Sequence, residues 1–82
     1  MMPTILRSGK LRYFFFSNER SEPRHAHVEE GDHYAKIWLD SVTIAKSSGF
    51  SGPELNRIKL FVLEHAEFFK EKWDAYFGRE SC

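Results

Sequence analysis

The feature that most limits what this chain can become is a stripe of apolar side chains in its last third. Leu55, Ile58, Val62, Ala66, Phe69, Trp73 and Tyr76 recur at spacings of three and four, which lines them along one face of an α-helix. Its start is marked by Ser51 with Glu54 three residues on, a pairing that satisfies two otherwise free backbone donors, and by Pro53, which a first turn tolerates. Phe50 stands where it can pack on Leu55, and Gly78 offers a stop. One unbroken helix from Gly52 to Phe77 would be about 39 Å long at roughly 1.5 Å per residue. A chain of 82 residues makes a domain only about 30 Å across. The helix therefore bends or breaks near His65, or its end projects. Phe61, Phe68 and Phe77 flank the stripe, and a projecting end would expose them together with Trp73. That makes Phe61, Phe68, Trp73 and Phe77 the candidate partner interface.

The first 40 residues read differently, in period two, which is the mark of strands. "TILRSGKLRYFFFSN" offers a short strand, a turn at Ser8-Gly9-Lys10 and a strongly β-prone run. "SNERSEP" is polar, ends in proline and reads as loop. Residues 24–30 and 34–40 then alternate on either side of the turn signal Gly31-Asp32, a second candidate hairpin. "SVTIAKS" fits a short edge strand better than a helical turn because Val42, Thr43 and Ile44 are β-branched. With strands first and helix last, the fold class is α+β: an antiparallel sheet of three to four strands, in two hairpins, packed on a long C-terminal helix that either bends or breaks near His65 or projects at its end. Residues 1–82 make a single domain.

Charge and cysteine usage narrow the function classes. Twelve Lys and Arg balance 12 Asp and Glu, so no global basic surface argues for nucleic acid. Five basic side chains among residues 1–24 (Arg7, Lys10, Arg12, Arg20, Arg24) against Glu19 and Glu22 leave room for a local basic face. The lone Cys82 cannot form an internal disulfide. The N-terminus lacks the apolar core of a signal peptide and no run is long enough to span a bilayer, so no membrane is expected and the expected location is cytoplasmic. Thirteen aromatics supply more apolar area than so small a core demands, and a protein partner or a homo-oligomer is expected to take the surplus.

The place to look for chemistry is "PRHAHVEE". On a strand, Ala26 and Val28 share one face while His25, His27 and Glu29 share the other, expected to be presented outward. Three readings are open. His25 and His27, with His33, Glu29, Glu19 or Glu22 as a third ligand, could hold zinc; no other cofactor is implied. Alternatively the two imidazoles form an acid/base pair for phosphodiester cleavage, with Lys36, Arg24 or Arg20 stabilising the phosphate, so that His25, His27, Glu29, Lys36 and Arg24 are the catalytic candidates of a histidine-dependent nuclease. The third reading is a polar sheet face of cross-strand pairs with no chemistry.

Several runs together, "MPTILR", "YFFFSNERSEPRHAHV", "YAKIWL", "IAKSSGFSGPEL" and "EHAEFFKEKWDAYFG", resemble the small bacterial proteins of the domain of unknown function 4160 family. The resemblance assigns no activity. It implies a context, since such proteins are often encoded beside another small protein, of the domain of unknown function 2442 type, in arrangements like toxin and antitoxin pairs. By that resemblance this chain is one half of a toxin–antitoxin-like pair. The motif positions carried over, without a role, are Asn18, Glu19, Glu22, Pro23, His25 and His27. Arg24 stands where many relatives have a second proline.

Overall fold

The computed structural model of the chain describes residues 4–15 and 22–78. Five strands form one antiparallel sheet whose spatial order is their order in the chain: β1 (Thr4–Ser8), β2 (Leu11–Phe14), β3 (His25–Glu30), β4 (His33–Trp38) and β5 (Thr43–Ser48). The hairpins β1–β2 and β3–β4 each turn on a two-residue loop that opens with a glycine, Gly9 and Gly31, both at φ 61°. A positive φ at the first loop position suits the right-handed twist of the flanking strands, and glycine reaches it without a Cβ clash.

The sheet exceeds the three to four strands expected. The β-branched segment from Thr43 is a full edge strand, paired as Ile37 with Ile44 and Trp38 with Thr43, and a register shift at Lys36/Ile37 leaves Ala45 outside the pairing. A matching shift between Thr4 and Leu6 marks the other edge strand, β1.

The long helix is two helices. α1 (Gly52–Glu64) opens with the expected reciprocal cap: the Glu54 N–H donates to Ser51 Oγ at 3.2 Å and the Ser51 N–H to Glu54 Oε1 at 2.7 Å. It ends at His65, whose φ of −111° and ψ of 20° leave helical space. The His65 ring closes the break. Its Nδ1–H donates to the Phe61 carbonyl at 2.8 Å, and its plane stacks on the Phe61 ring at 4.2 Å. α2 (Ala66–Trp73) follows, then a π-helical turn, Asp74–Gly78.

Ile58, Val62, Phe69 and Trp73 lie inward as the stripe requires, against Tyr13, Ala26, Val28, Ala35 and Ile37 of the sheet. The wider π turn advances four residues, not three, before facing the core again. Phe77, 5% exposed, therefore takes the inner place expected of Tyr76, which is 41% exposed. The aromatic end does not project. Phe15 meets the rings of Trp73 at 5.2 Å and Phe77 at 5.7 Å, and Trp73 meets Phe77 at 4.1 Å. Of the four expected interface residues, Trp73 and Phe77 thus belong to the chain's own core and Phe61 is half-buried on Tyr13, leaving Phe68 exposed. Among the described residues no helix is long and apolar enough to cross a membrane.

Candidate functional site

Strand parity separates the histidines. Pairing sets His25 opposite Trp38, His27 opposite Phe14 and Lys36, and Glu29 opposite Arg12 and Tyr34. These side chains share the sheet face that looks away from α1. His33 sits with Ala35 and Ile37 on the opposite face, where its ring packs on Phe50 at 5.4 Å.

The expectation that His25 and His27 are presented to solvent is corrected: they are 0% and 2% exposed. The alternation placed Ala26 and Val28 on the core side as expected, but the reverse face is not open. His27 stacks on Phe14 at 5.3 Å and on Tyr34 at 5.7 Å. His25 is edge-on to His27 at 5.0 Å and to Trp38 at 5.5 Å, and Trp73 comes within 4.9 Å where β3 begins. Buried imidazoles need polar partners. His25 Nδ1 lies 2.8 Å from the Pro23 carbonyl, and because a carbonyl only accepts, Nδ1 carries the proton. His27 Nδ1 is 2.6 Å from the Tyr34 hydroxyl.

The charged candidates are paired off along the rim. Lys36 Nζ binds Glu22 Oε1 at 2.8 Å and lies 4.7 Å above the Trp38 ring, while that same Glu22 oxygen is 3.9 Å from His25 Nδ1. Glu29 accepts from Arg12 at 2.9 Å. Arg24 turns away from the histidines: its guanidinium bridges Asp40 at 2.9 Å and Asp74 at 3.0 Å, tying the β4–β5 turn to the π turn. The structure thus gathers His25, His27, Lys36 and Glu22 on one face, with Pro23 supplying a carbonyl. Arg24 and His33 lie elsewhere. Asn18, Glu19 and Arg20 lie outside the described residues. Among the described residues no group of three His, Cys, Asp or Glu side chains is placed to hold a metal ion, and the parity that sends His33 to the far face removes it from a shared site with His25 and His27.

A second site had no sequence signal. Ser8, Lys10, Leu11, Tyr13, Glu30, Phe50, Glu54, Arg57, Ile58 and Phe61 surround a half-open groove of about 340 Å³ between the β1–β2 turn and α1. Tyr13 is fully buried among its lining residues, stacked on Phe61 at 5.2 Å, and its hydroxyl has no hydrogen-bond partner among the described residues. Burial pushes the Tyr13 phenol up to about 12. At the rim, the hydrogen bond from the Ser51 backbone N–H holds the Glu54 carboxyl below its usual range. One tyrosine heading an aromatic run carries no mark of such a role; only the closing of α1 over β2 strands its hydroxyl.

A small α+β domain, a five-stranded antiparallel meander under a broken helical layer with a buried histidine pair, is the class these features define. Residues 11–74 match the family described as Domain of unknown function (DUF4160), and the chain belongs to it. No curated protein and no solved structure matches the chain.

Proposed function

We propose that this protein is one component of a toxin–antitoxin-like pair and works by binding its partner protein through the outer face of the helical layer. The observation that carries this reading is the apolar area left on that layer after the core is filled. Leu60 and Leu63 on α1 are 54% and 58% exposed, Phe68 on α2 is 37% exposed, and Tyr76 in the π turn is 41% exposed. Four large apolar side chains left to water on the helical segments of so small a domain are what a partner surface would cover. By the resemblance to chains encoded beside a second small protein, the partner would be the product of such a neighbouring gene. The rival, a histidine-dependent nuclease, has in its favour that His25, His27 and Lys36 share a face, and against it that both imidazoles are shut in by Phe14, Tyr34, Trp38 and Trp73.

Co-expression with the neighbouring product tests the proposal. The two should co-purify and alter each other's effect on growth, and Leu63→Asp, at an exposed position, should abolish both while leaving the melting temperature of the isolated chain within about 2 °C. A pair that neither co-purifies nor interacts in growth refutes the reading, as does self-association of this chain that buries Leu63 and excludes the partner. RNA cleavage that is lost in His27→Gln, with the fold retained, would favour the nuclease instead.

A further inference from the structure

We propose that the groove between the β1–β2 turn and α1 is a binding site for a small zwitterion with a flat aromatic body that ends in a hydroxyl, the chemistry of free tyrosine. The proposal does not rest on the partner reading. Its floor and walls are apolar: Leu11, Phe50, Ile58 and Phe61 surround a space of about 340 Å³, within the range of small-molecule sites. Tyr13 lines the groove, and its buried hydroxyl has no hydrogen-bond partner among the described residues. A buried phenol left unpaired is uncommon in a folded chain, and one on a residue that lines a groove asks for an acceptor brought in by a ligand. The ring stack already present, Tyr13 on Phe61, extends naturally to a further aromatic ring set against Phe50 and Phe61.

The open end selects charge. Lys10 and Arg57 are exposed cations at the rim, suited to a carboxylate, with Arg57 also acting on the nearby Glu54 carboxylate. Glu30, half-buried on the same rim, suits an ammonium. Glu54 is already committed to the Ser51 N–H at 2.7 Å and leaves Glu30 as the carboxylate available. A ligand with one charge of each sign fits this arrangement, whereas a simple anion or cation meets a like charge. Seating the ring asks Leu11 and Phe61, which are only partly buried, to give way slightly.

Titration of the purified full chain by isothermal calorimetry or amide chemical shifts tests the site, using L-tyrosine, L-phenylalanine and tyramine as probes. L-Tyrosine should bind saturably in the millimolar range or tighter and about tenfold better than L-phenylalanine, which leaves the Tyr13 hydroxyl unpaired. Tyr13→Phe, which keeps the ring and its stacking, should bring the ratio close to one. Arg57→Ala, at an exposed position, should weaken L-tyrosine and leave tyramine, which lacks the carboxylate, unchanged. Absence of saturable binding by L-tyrosine overturns the proposal, and so does a tyrosine preference that survives in Tyr13→Phe or an Arg57→Ala that weakens both ligands equally.

Discussion

Replacing Tyr13 by Phe should stabilise the unliganded protein, the reverse of the usual outcome when a buried polar group is deleted. The side chain is fully buried between the sheet and α1, and its hydroxyl finds no partner among the described residues. Folding therefore strips water from a donor and returns nothing, at a cost of about 1–3 kcal/mol. The aromatic contacts with Phe61 at 5.2 Å and Phe69 at 5.3 Å belong to the ring and survive the change. A net gain of about 1–2 kcal/mol should raise Tm by at least about 4 °C for a domain of this size. Alkaline pH separates the two proteins further. An unfolded tyrosine loses its proton near pH 10, while the folded Tyr13 holds it to about 12. Between those values the unfolded chain binds fewer protons than the folded one, so wild-type stability is full below pH 10 and falls as pH rises through the window. Two pKa units correspond to roughly 3 kcal/mol lost by the upper end. Tyr13→Phe lacks this loss, and the difference between the two curves isolates it. Urea unfolding followed by circular dichroism from pH 8 to 11.5 would measure both effects. If Tyr13→Phe is less stable at pH 8, or the two stability curves run parallel above pH 10, the hydroxyl has a partner in solution and the reasoning fails.

Other substitutions test other parts of the fold. Gly49 has φ 94°, and a Cβ built there would stand 2.5 Å from His33 Cδ2; Gly49→Ala should cost about 2–3 kcal/mol, read as a lowered urea midpoint. Ser51→Ala removes one half of the reciprocal cap on α1 and should cost about 1 kcal/mol by the same measurement. Arg24→Ala breaks two ion pairs whose members are one-third to more than one-half exposed, and should cost no more than about 1 kcal/mol, with most of that lost in high salt.

What could be read from the sequence was local. The cap at Ser51 and Glu54 is set by residues three apart, the two glycine turns by dipeptides, and the inward stripe by helical period. Each survives in the structure because nothing distant competes with it. The break at His65 was legible as a conflict of lengths, though not the π turn that exchanges Tyr76 for Phe77. What escaped depends on partners brought from elsewhere. Alternation correctly split Ala26 and Val28 from His25 and His27, yet whether the second face is open depends on Phe14 and Trp38 arriving opposite the histidines, and that is a matter of register between strands. His33 was misjudged on parity: a two-residue turn puts Glu29 across from Tyr34, so His33 falls with Glu30 on the other side of the sheet. Arg24 looked available beside the histidines because Asp40 and Asp74, its partners, are distant in the chain. Tyr13 was invisible as a site residue for the same reason, since its isolation is made by α1.

The strand order, identical in space and in sequence, bears on how the molecule comes to exist. Every ladder in the sheet joins neighbours in the chain, and three of the four links are short turns. Little loop entropy must be lost before a pairing is rewarded, so the sheet should assemble quickly for an all-antiparallel one. The slow step is then the link from β2 to β3, the longest connection in the sheet, which brings Phe14 onto His27. Until that link closes, His27 on β3 lacks its Phe14 cover, and the helices lack the Tyr13 and Phe15 rings on which Phe61, Phe69, Trp73 and Phe77 pack.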